Sequence, residues 1–115
     1  MRRLRAGNRM SQAVVHSDTV YLAGQVANTG RDGSVADQTT EILQQIDTLL
    51  AEAGTDKSRL LSATIYLTDI DSGFGEMNTV WDQWVVPGQT PARATVQANL
   101  AAPGYDVEIA VIAAL

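Results

Sequence analysis

The sequence contains no cysteine and a single histidine, His16. The first absence excludes disulfides, thiolate metal sites and a cysteine nucleophile. The second excludes a histidine-rich metal cluster and a histidine dyad. No apolar run is long enough to cross a bilayer. Basic residues are scarce beyond the start: Arg2, Arg3, Arg5 and Arg9 are half of the eight, and after them four bases face thirteen acids, a charge of −9 within a total of −5. An acidic body is a poor match for a polyanion, so no nucleic acid is expected as a partner. The basic start lacks the apolar stretch and small-residue cleavage site of a secretory signal. It reads as an N-terminal arm over 1–9, frayed or docked, and the expected compartment is a reducing cytoplasm. Any catalysis must rest on carboxylates, arginine, hydroxyls or the backbone.

What is present is ordinary for a globular chain. The 115 residues are 45% hydrophobic and 18% charged, which points to one domain over 1–115 without long disorder. Gln12–His16 and Thr19–Ala23 are short and rich in β-branched or apolar residues, with Ser17-Asp18 between them as turn chemistry, so a hairpin is expected. Asn28 to Ser34 holds two glycines and reads as a loop. Ser34 then serves as N-cap, with Asp37 three residues on. Val35, Ile42, Leu43, Ile46, Leu49, Leu50 and Ala53 follow at helical spacing, with Gln38, Glu41, Gln45, Asp47 and Glu52 largely off that stripe, and Gly54 ends the helix. Leu60 to Thr68 is the best strand candidate. A second helix starts within 69–73 and carries Phe74, Met77, Val80, Trp81, Trp84 and Val85 on its apolar stripe, closing at Pro87-Gly88. Two strands finish the chain, Ala92 to Leu100 and Asp106 to Ala114; the last turns apolar on both faces beyond Glu108, as expected of a central strand covered on both sides. The order ββ-α-β-α-ββ indicates an α+β sandwich, with two helices packed on one face of a mixed sheet.

Two charged residues fall inside apolar strand patterns. Alternation along Ala92-Arg93-Ala94-Thr95-Val96-Gln97-Ala98 puts Arg93, Thr95 and Gln97 on one face and small apolar residues on the other. Arg93 is then paired, snorkelling or waiting for an anion. Its guanidinium suits a small carboxylate, whereas spacing alone favours an internal bridge to Glu or Asp. Glu108, between Val107 and Ile109, is costly to bury unpaired and suits general acid/base work; the plainer alternative is an edge position facing water. Asn78 sits mid-helix, where asparagine is disfavoured, and either bonds a neighbouring loop or lines a site. Trp81 and Trp84 read as core packing rather than as a stacking platform, and His16 as a surface residue. Gly24-Gln25 after a strand could bring a backbone N–H close to a ligand. Asn28-Thr29-Gly30 is no phosphate loop, because no glycine-rich turn leads directly into a helix.

With these residues in place, the chain resembles the RidA family, also called the YjgF or RutC family of reactive enamine/imine deaminases. The carrying segments are Ser11-Gln12-Ala13-Val14, Leu22-Ala23-Gly24-Gln25-Val26, Ala63-Thr64-Ile65-Tyr66-Leu67-Thr68-Asp69 and Phe74-Gly75-Glu76-Met77-Asn78. Most specific is Pro91-Ala92-Arg93-Ala94-Thr95-Val96 with Val107-Glu108-Ile109, and the stretch from Trp81 onward looks like the YoaB-type branch. The resemblance implies a chorismate-mutase-like sandwich assembled as a homotrimer with clefts between subunits. It implies that Arg93 binds a substrate carboxylate, that Glu108 positions or activates a water, and that backbone at Gly24 and Thr95 helps hold the substrate. Asn78, Met10 and Ala23 complete the candidate substrate-binding set. No metal or cofactor is expected, and no membrane partner; the expected partner is a small carboxylate-bearing molecule. Relatives with established deaminase activity often carry Tyr, Ser and Cys where this chain has Met10, Ala23 and Thr95; losing two hydroxyls, at Met10 and Ala23, makes the pocket here more apolar. The alternative from another class is a non-catalytic trimer that binds small 2-oxo or other carboxylates as a sensor or scavenger.

Overall fold

A computed structural model describes residues 1–115. Its strands are β1 (Arg2–Leu4), β2 (Ala13–His16), β3 (Thr19–Leu22), β4 (Leu60–Leu67), β5 (Ala92–Gln97) and β6 (Val107–Ala114). Its helices are α1 (Val35–Ala53) and α2 (Ile70–Trp84), with a short 3₁₀ turn at Lys57–Arg59. The expected order is found with one strand added in front. The basic arm is docked: Arg2, Arg3 and Leu4 pair antiparallel with Val15, Val14 and Ala13. Ser17, in the left-handed region at φ 52°, turns β2 into β3.

The six strands form one sheet in the order β1-β2-β3-β6-β4-β5. All pairings are antiparallel except β4 with β5, which α2 joins as a crossover. Side-chain alternation gives the sheet two unlike faces. Ala13, Val15, Val20, Leu22, Ala63, Ile65, Leu67, Val107, Ile109, Val111 and Ala113 are buried beneath the helices. The opposite face, carrying Tyr21, Thr64, Tyr66, Val96, Glu108, Ala110 and Ile112, is half-buried or exposed in the chain. β6 is therefore central, as expected, but one chain covers only one of its faces.

Helix α1 forms where its signals lie. Ser34 Oγ accepts from the Asp37 N–H at 3.1 Å. Gly54 adopts φ 94°, where its N–H bonds Ala51 O at 3.1 Å and the Thr55 N–H bonds Leu50 O at 2.9 Å, a Schellman closure. The stripe Ile42, Leu43, Ile46, Leu49, Leu50 and Ala53 is buried against the sheet, each large side chain contributing about 1.5–3 kcal/mol. In α2, Asp69 caps Ser72 N–H at 3.2 Å, and Met77, Trp81 and Trp84 are buried. Phe74 departs from the expected stripe: it is 42% exposed and its ring lies 5.8 Å from the Arg93 guanidinium carbon instead of in the core.

Gln38 departs in the other direction. Expected off the stripe, it is fully buried. Its Nε2 donates to Gly33 O and Gly104 O, both at 3.0 Å, and its Oε1 accepts from the Asp106 N–H at 2.9 Å. One side chain thus satisfies three backbone groups of two loops that no ladder reaches. Gln38→Met, similar in volume, should cost about 1–3 kcal/mol through the orphaned buried groups, read as a lowered urea midpoint at unchanged slope.

Candidate functional site

The edge strand sets the position of Arg93. Register pairs Ala63 with Arg93, Ile65 with Thr95 and Leu67 with Gln97, so these three β5 residues share the helix-side face. The expected alternation is present. At the sheet edge the surface above Arg93 is α2, whose Phe74, Asn78 and Trp81 stand at i, i+4 and i+7 on one stripe. Arg93 Nη1 donates to Asn78 Oδ1 at 2.8 Å. Its Cζ lies 5.4 Å from the Trp81 ring centroid and 5.8 Å from that of Phe74. Trp81 therefore does more than pack: it meets Trp84 at 5.4 Å on its core side and Arg93 on the other. Two positions on, the Thr95 hydroxyl oxygen is buried without a hydrogen-bond partner. Gln97 Oε1 accepts from the Ile70 N–H at 3.0 Å and ties the start of α2 to the same strand.

The internal bridge that spacing favoured for Arg93 does not form. The one salt bridge in the chain joins Arg5 to Glu52. The reason is topological: as the last strand, β5 has only β4 beside it, and β4 and the facing turns of α2 offer amide and aromatic groups there, not carboxylates.

Glu108 lies elsewhere. It pairs with Tyr66 on β6, on the face away from the helices, and β4 separates it from β5. The two strands are about 10 Å apart by sheet spacing. An edge position facing water is thus ruled out for it; Glu108 is half-buried on a central strand. Its carboxylate occupies the space beside Gly24, where a Cβ would stand 2.2 Å from Oε2. A side chain at position 24 would therefore displace the Glu108 carboxylate, so glycine leaves that carboxylate its place. Gln25 fixes this corner. Its backbone exchanges hydrogen bonds with Ile109 at 2.8 and 3.1 Å. Its buried side chain donates to Gln12 Oε1 and Ala23 O and accepts from Gln45 Nε2.

The candidates thus fall into two groups in a single chain. Arg93, Asn78 and Thr95 stand together on the helix side of the edge strand, and Ala23, Gly24 and Glu108 stand together at the β3–β6 corner. Met10, 47% exposed, lines a surface cleft of about 610 Å³ with Arg5, Asn8, Arg9 and Gln12. None of the clefts of the chain is lined by Arg93 or Glu108. A second cleft of about 610 Å³ lies over α1, between Arg5, Gln12, Gln25, Glu41, Gln45 and Thr48. Gln12, Gln25 and Gln45 bond one another and serve as scaffold for the Gly24 corner. Spacing missed the side-chain roles of Gln25, Gln38 and Gln45; Gln38 sits between Asp37 and Thr39 and Gln45 follows Gln44, so local sequence gives no signal for them.

Glu41 belongs to this scaffold. Its carboxylate accepts from the Thr29 N–H and hydroxyl, both at 2.9 Å, and from the Gly30 N–H at 2.7 Å. The Thr29 N–H foremost, with the Thr29 hydroxyl and the Gly30 and Asn28 backbone, holds the carboxyl below the usual range, against desolvation.

Comparison with known proteins places these features in a family. The model of the family described as Endoribonuclease L-PSP matches residues 1–115. The chain is 44% identical to the RutC family protein YoaB of Escherichia coli strain K12, over 98% of this chain and 96% of that protein. It is 32% identical to the 2-iminobutanoate/2-iminopropanoate deaminase of Rattus norvegicus, over 90% of this chain and 77% of the relative. A crystal structure of a YjgF protein family member from Neisseria meningitidis superposes with a TM-score of 0.93 at 45% identity, covering 98% of this chain and 92% of that one.

The lowered pKa of Glu41 carries a pH signature. A depressed folded-state pKa contributes stability above the ordinary value of 4.5 and loses it as pH falls through the folded value. Wild type should therefore exceed Glu41→Gln in thermal stability at neutral pH, and the gap should close on acidification below pH 4.5, as followed by melting curves across pH.

Proposed function

The chain belongs to the RidA/YjgF/RutC family, in its YoaB-like branch, and on that premise we propose that it hydrolyses a reactive 2-imino or enamine acid to the 2-oxo acid and ammonia. The observation that carries this reading is Arg93: a strand arginine without an acidic partner, oriented by Asn78 and two aromatic rings, beside a buried hydroxyl that bonds nothing. A guanidinium so placed attracts a small carboxylate through two parallel hydrogen bonds. The deaminase name of the rat relative supports the chemistry that follows.

Arg93 clamps the carboxylate of the imino acid. Glu108 orients a water and takes one of its protons as the water oxygen bonds the imine carbon. That proton passes to nitrogen and gives a carbinolamine. The hydroxyl proton then follows it, the C–N bond breaks, ammonia leaves and the carbonyl of the 2-oxo acid remains. No redox partner enters the balance. Because Arg93 and Glu108 lie on opposite faces of one sheet, the reading requires a second copy, with the Arg93 group of one subunit facing the Glu108 corner of the next in a homotrimer. The open face of small and apolar residues, among them Ala92, Ala94, Ala110, Ile112 and Val96 at 42% exposure, supports such an assembly. The reaction is placed in a reducing cytoplasm. A charge of −9 past Arg9 argues against RNA as the substrate, despite the description of the family model.

Arg93→Ala should abolish turnover of enzymatically generated imino acids and leave the assembly intact in size-exclusion chromatography. Equal rates for the two proteins would sink the reading. Binding of 2-oxo acids without imine decay faster than buffer would select the non-catalytic carboxylate binder instead. Co-expression of Arg93→Ala with Glu108→Gln, each inactive alone, should restore activity at about a quarter of the sites by random assembly. No recovery in mixed trimers would rule out a site shared between subunits.

A further inference from the structure

Arg93 is held on three sides by groups that carry no net charge. Asn78 offers a neutral carbonyl oxygen at 2.8 Å, and the faces of Trp81 and Phe74 offer quadrupoles at 5.4 and 5.8 Å. Each attracts the guanidinium and none neutralises it. An aspartate in place of Asn78 would hold the arginine more strongly, but it would supply the counter-charge that a substrate carboxylate must supply. Of the five N–H donors of a guanidinium, the chain occupies one; the others remain for a bidentate acid.

The cost of this arrangement is visible in α2. Asparagine is a poor helix-interior residue, yet Asn78 stands mid-helix with its carbonyl committed to Arg93. Phe74 is 42% exposed at a position where the apolar stripe predicts burial. Trp81 is 5% exposed and anchored against Trp84, so it gives the cradle a fixed wall. All three side chains lie on one stripe of one helix, and the Gln97–Ile70 hydrogen bond ties that helix to the strand carrying Arg93.

We propose that Phe74, Asn78 and Trp81 are positioning residues, a neutral cradle that fixes the Arg93 guanidinium while preserving its full charge for the substrate carboxylate. The inference rests on the carboxylate-clamp reading of Arg93 and assigns Asn78 a role through arginine, not as a direct ligand.

The test measures binding of 2-oxobutanoate, a stable 2-oxo acid, by calorimetry, together with kcat and KM for a generated imino acid, on the assembled protein. Asn78→Asp, nearly isosteric, should form an internal ion pair and weaken binding at least tenfold (about 1.4 kcal/mol). Asn78→Ala should weaken it less. In both, KM should rise with kcat nearly unchanged, because the clamp acts on ground and transition state alike. Trp81→Leu should weaken binding, and Trp81→Phe, which keeps an aromatic face and protects against a folding failure, should restore most of it. In an Arg93→Ala background, Asn78→Asp and Trp81→Leu should have no further effect on binding, which a purely structural role would not produce. If Arg93→Ala loses binding while Asn78→Asp and Trp81→Leu, once shown to be folded, both bind as wild type, the cradle is overturned alone. The same holds if the effects add in full to that of Arg93→Ala. Undiminished binding by Arg93→Ala would overturn the clamp and the cradle together.

Discussion

Strand β5 pairs with β4 in parallel, and a parallel pair cannot be closed by a tight turn. The chain must cross over, and the crossover is α2, packed beside α1 and over β4, with side chains of its outer stripe reaching β5. The rest of the site follows from that constraint. Register with β4 turns Arg93, Thr95 and Gln97 toward the helix. The helix meets them with Phe74, Asn78 and Trp81, since i, i+4 and i+7 make one stripe. With no further strand beyond β5, no neighbour on that side brings a carboxylate to the guanidinium. An arginine that would be bridged inside a sheet stays charged and unneutralised at its edge.

A second constraint operates at the corner between β3 and β6. Glu108 sits on the central strand, where a carboxylate has little room beside an adjacent backbone. Gly24 supplies that room by having no side chain. Its position depends on Gln25, bonded to Ile109 by the backbone and to Gln12, Ala23 and Gln45 by the side chain. Gln38 and Glu41 do the same for the neighbouring loops. These amides and this carboxylate lie under loops that no strand pairs, which is where buried backbone groups would otherwise go unsatisfied. The cleft over α1 is lined in large part by this scaffold.

Much of the fold was legible from pattern. Ser34 and Gly54 bound α1 because capping is local chemistry. The alternation in β5 put Arg93, Thr95 and Gln97 on one face, as found. What pattern misread, it misread for identifiable reasons. Phe74 follows helical periodicity but faces Arg93 and solvent instead of the core, and Gln38 breaks periodicity because two distant loops need its amide. β1 is too short, with two arginines among its three residues, to read as a strand without β2 to pair with.

The sequence by itself determined which groups are available: one arginine and one glutamate within apolar strands, a glycine beside a strand end, and no thiol or second histidine. It also determined the local periods that make these helices and strands, because period and caps act over a few residues. Only the tertiary structure decided that Arg93 has no acid beside it, that Asn78 and Trp81 hold it instead, and that Glu108 faces the other way. Those outcomes depend on which strand lies next to which and which sheet face each residue takes, and strand order is set by contacts between residues far apart in the chain.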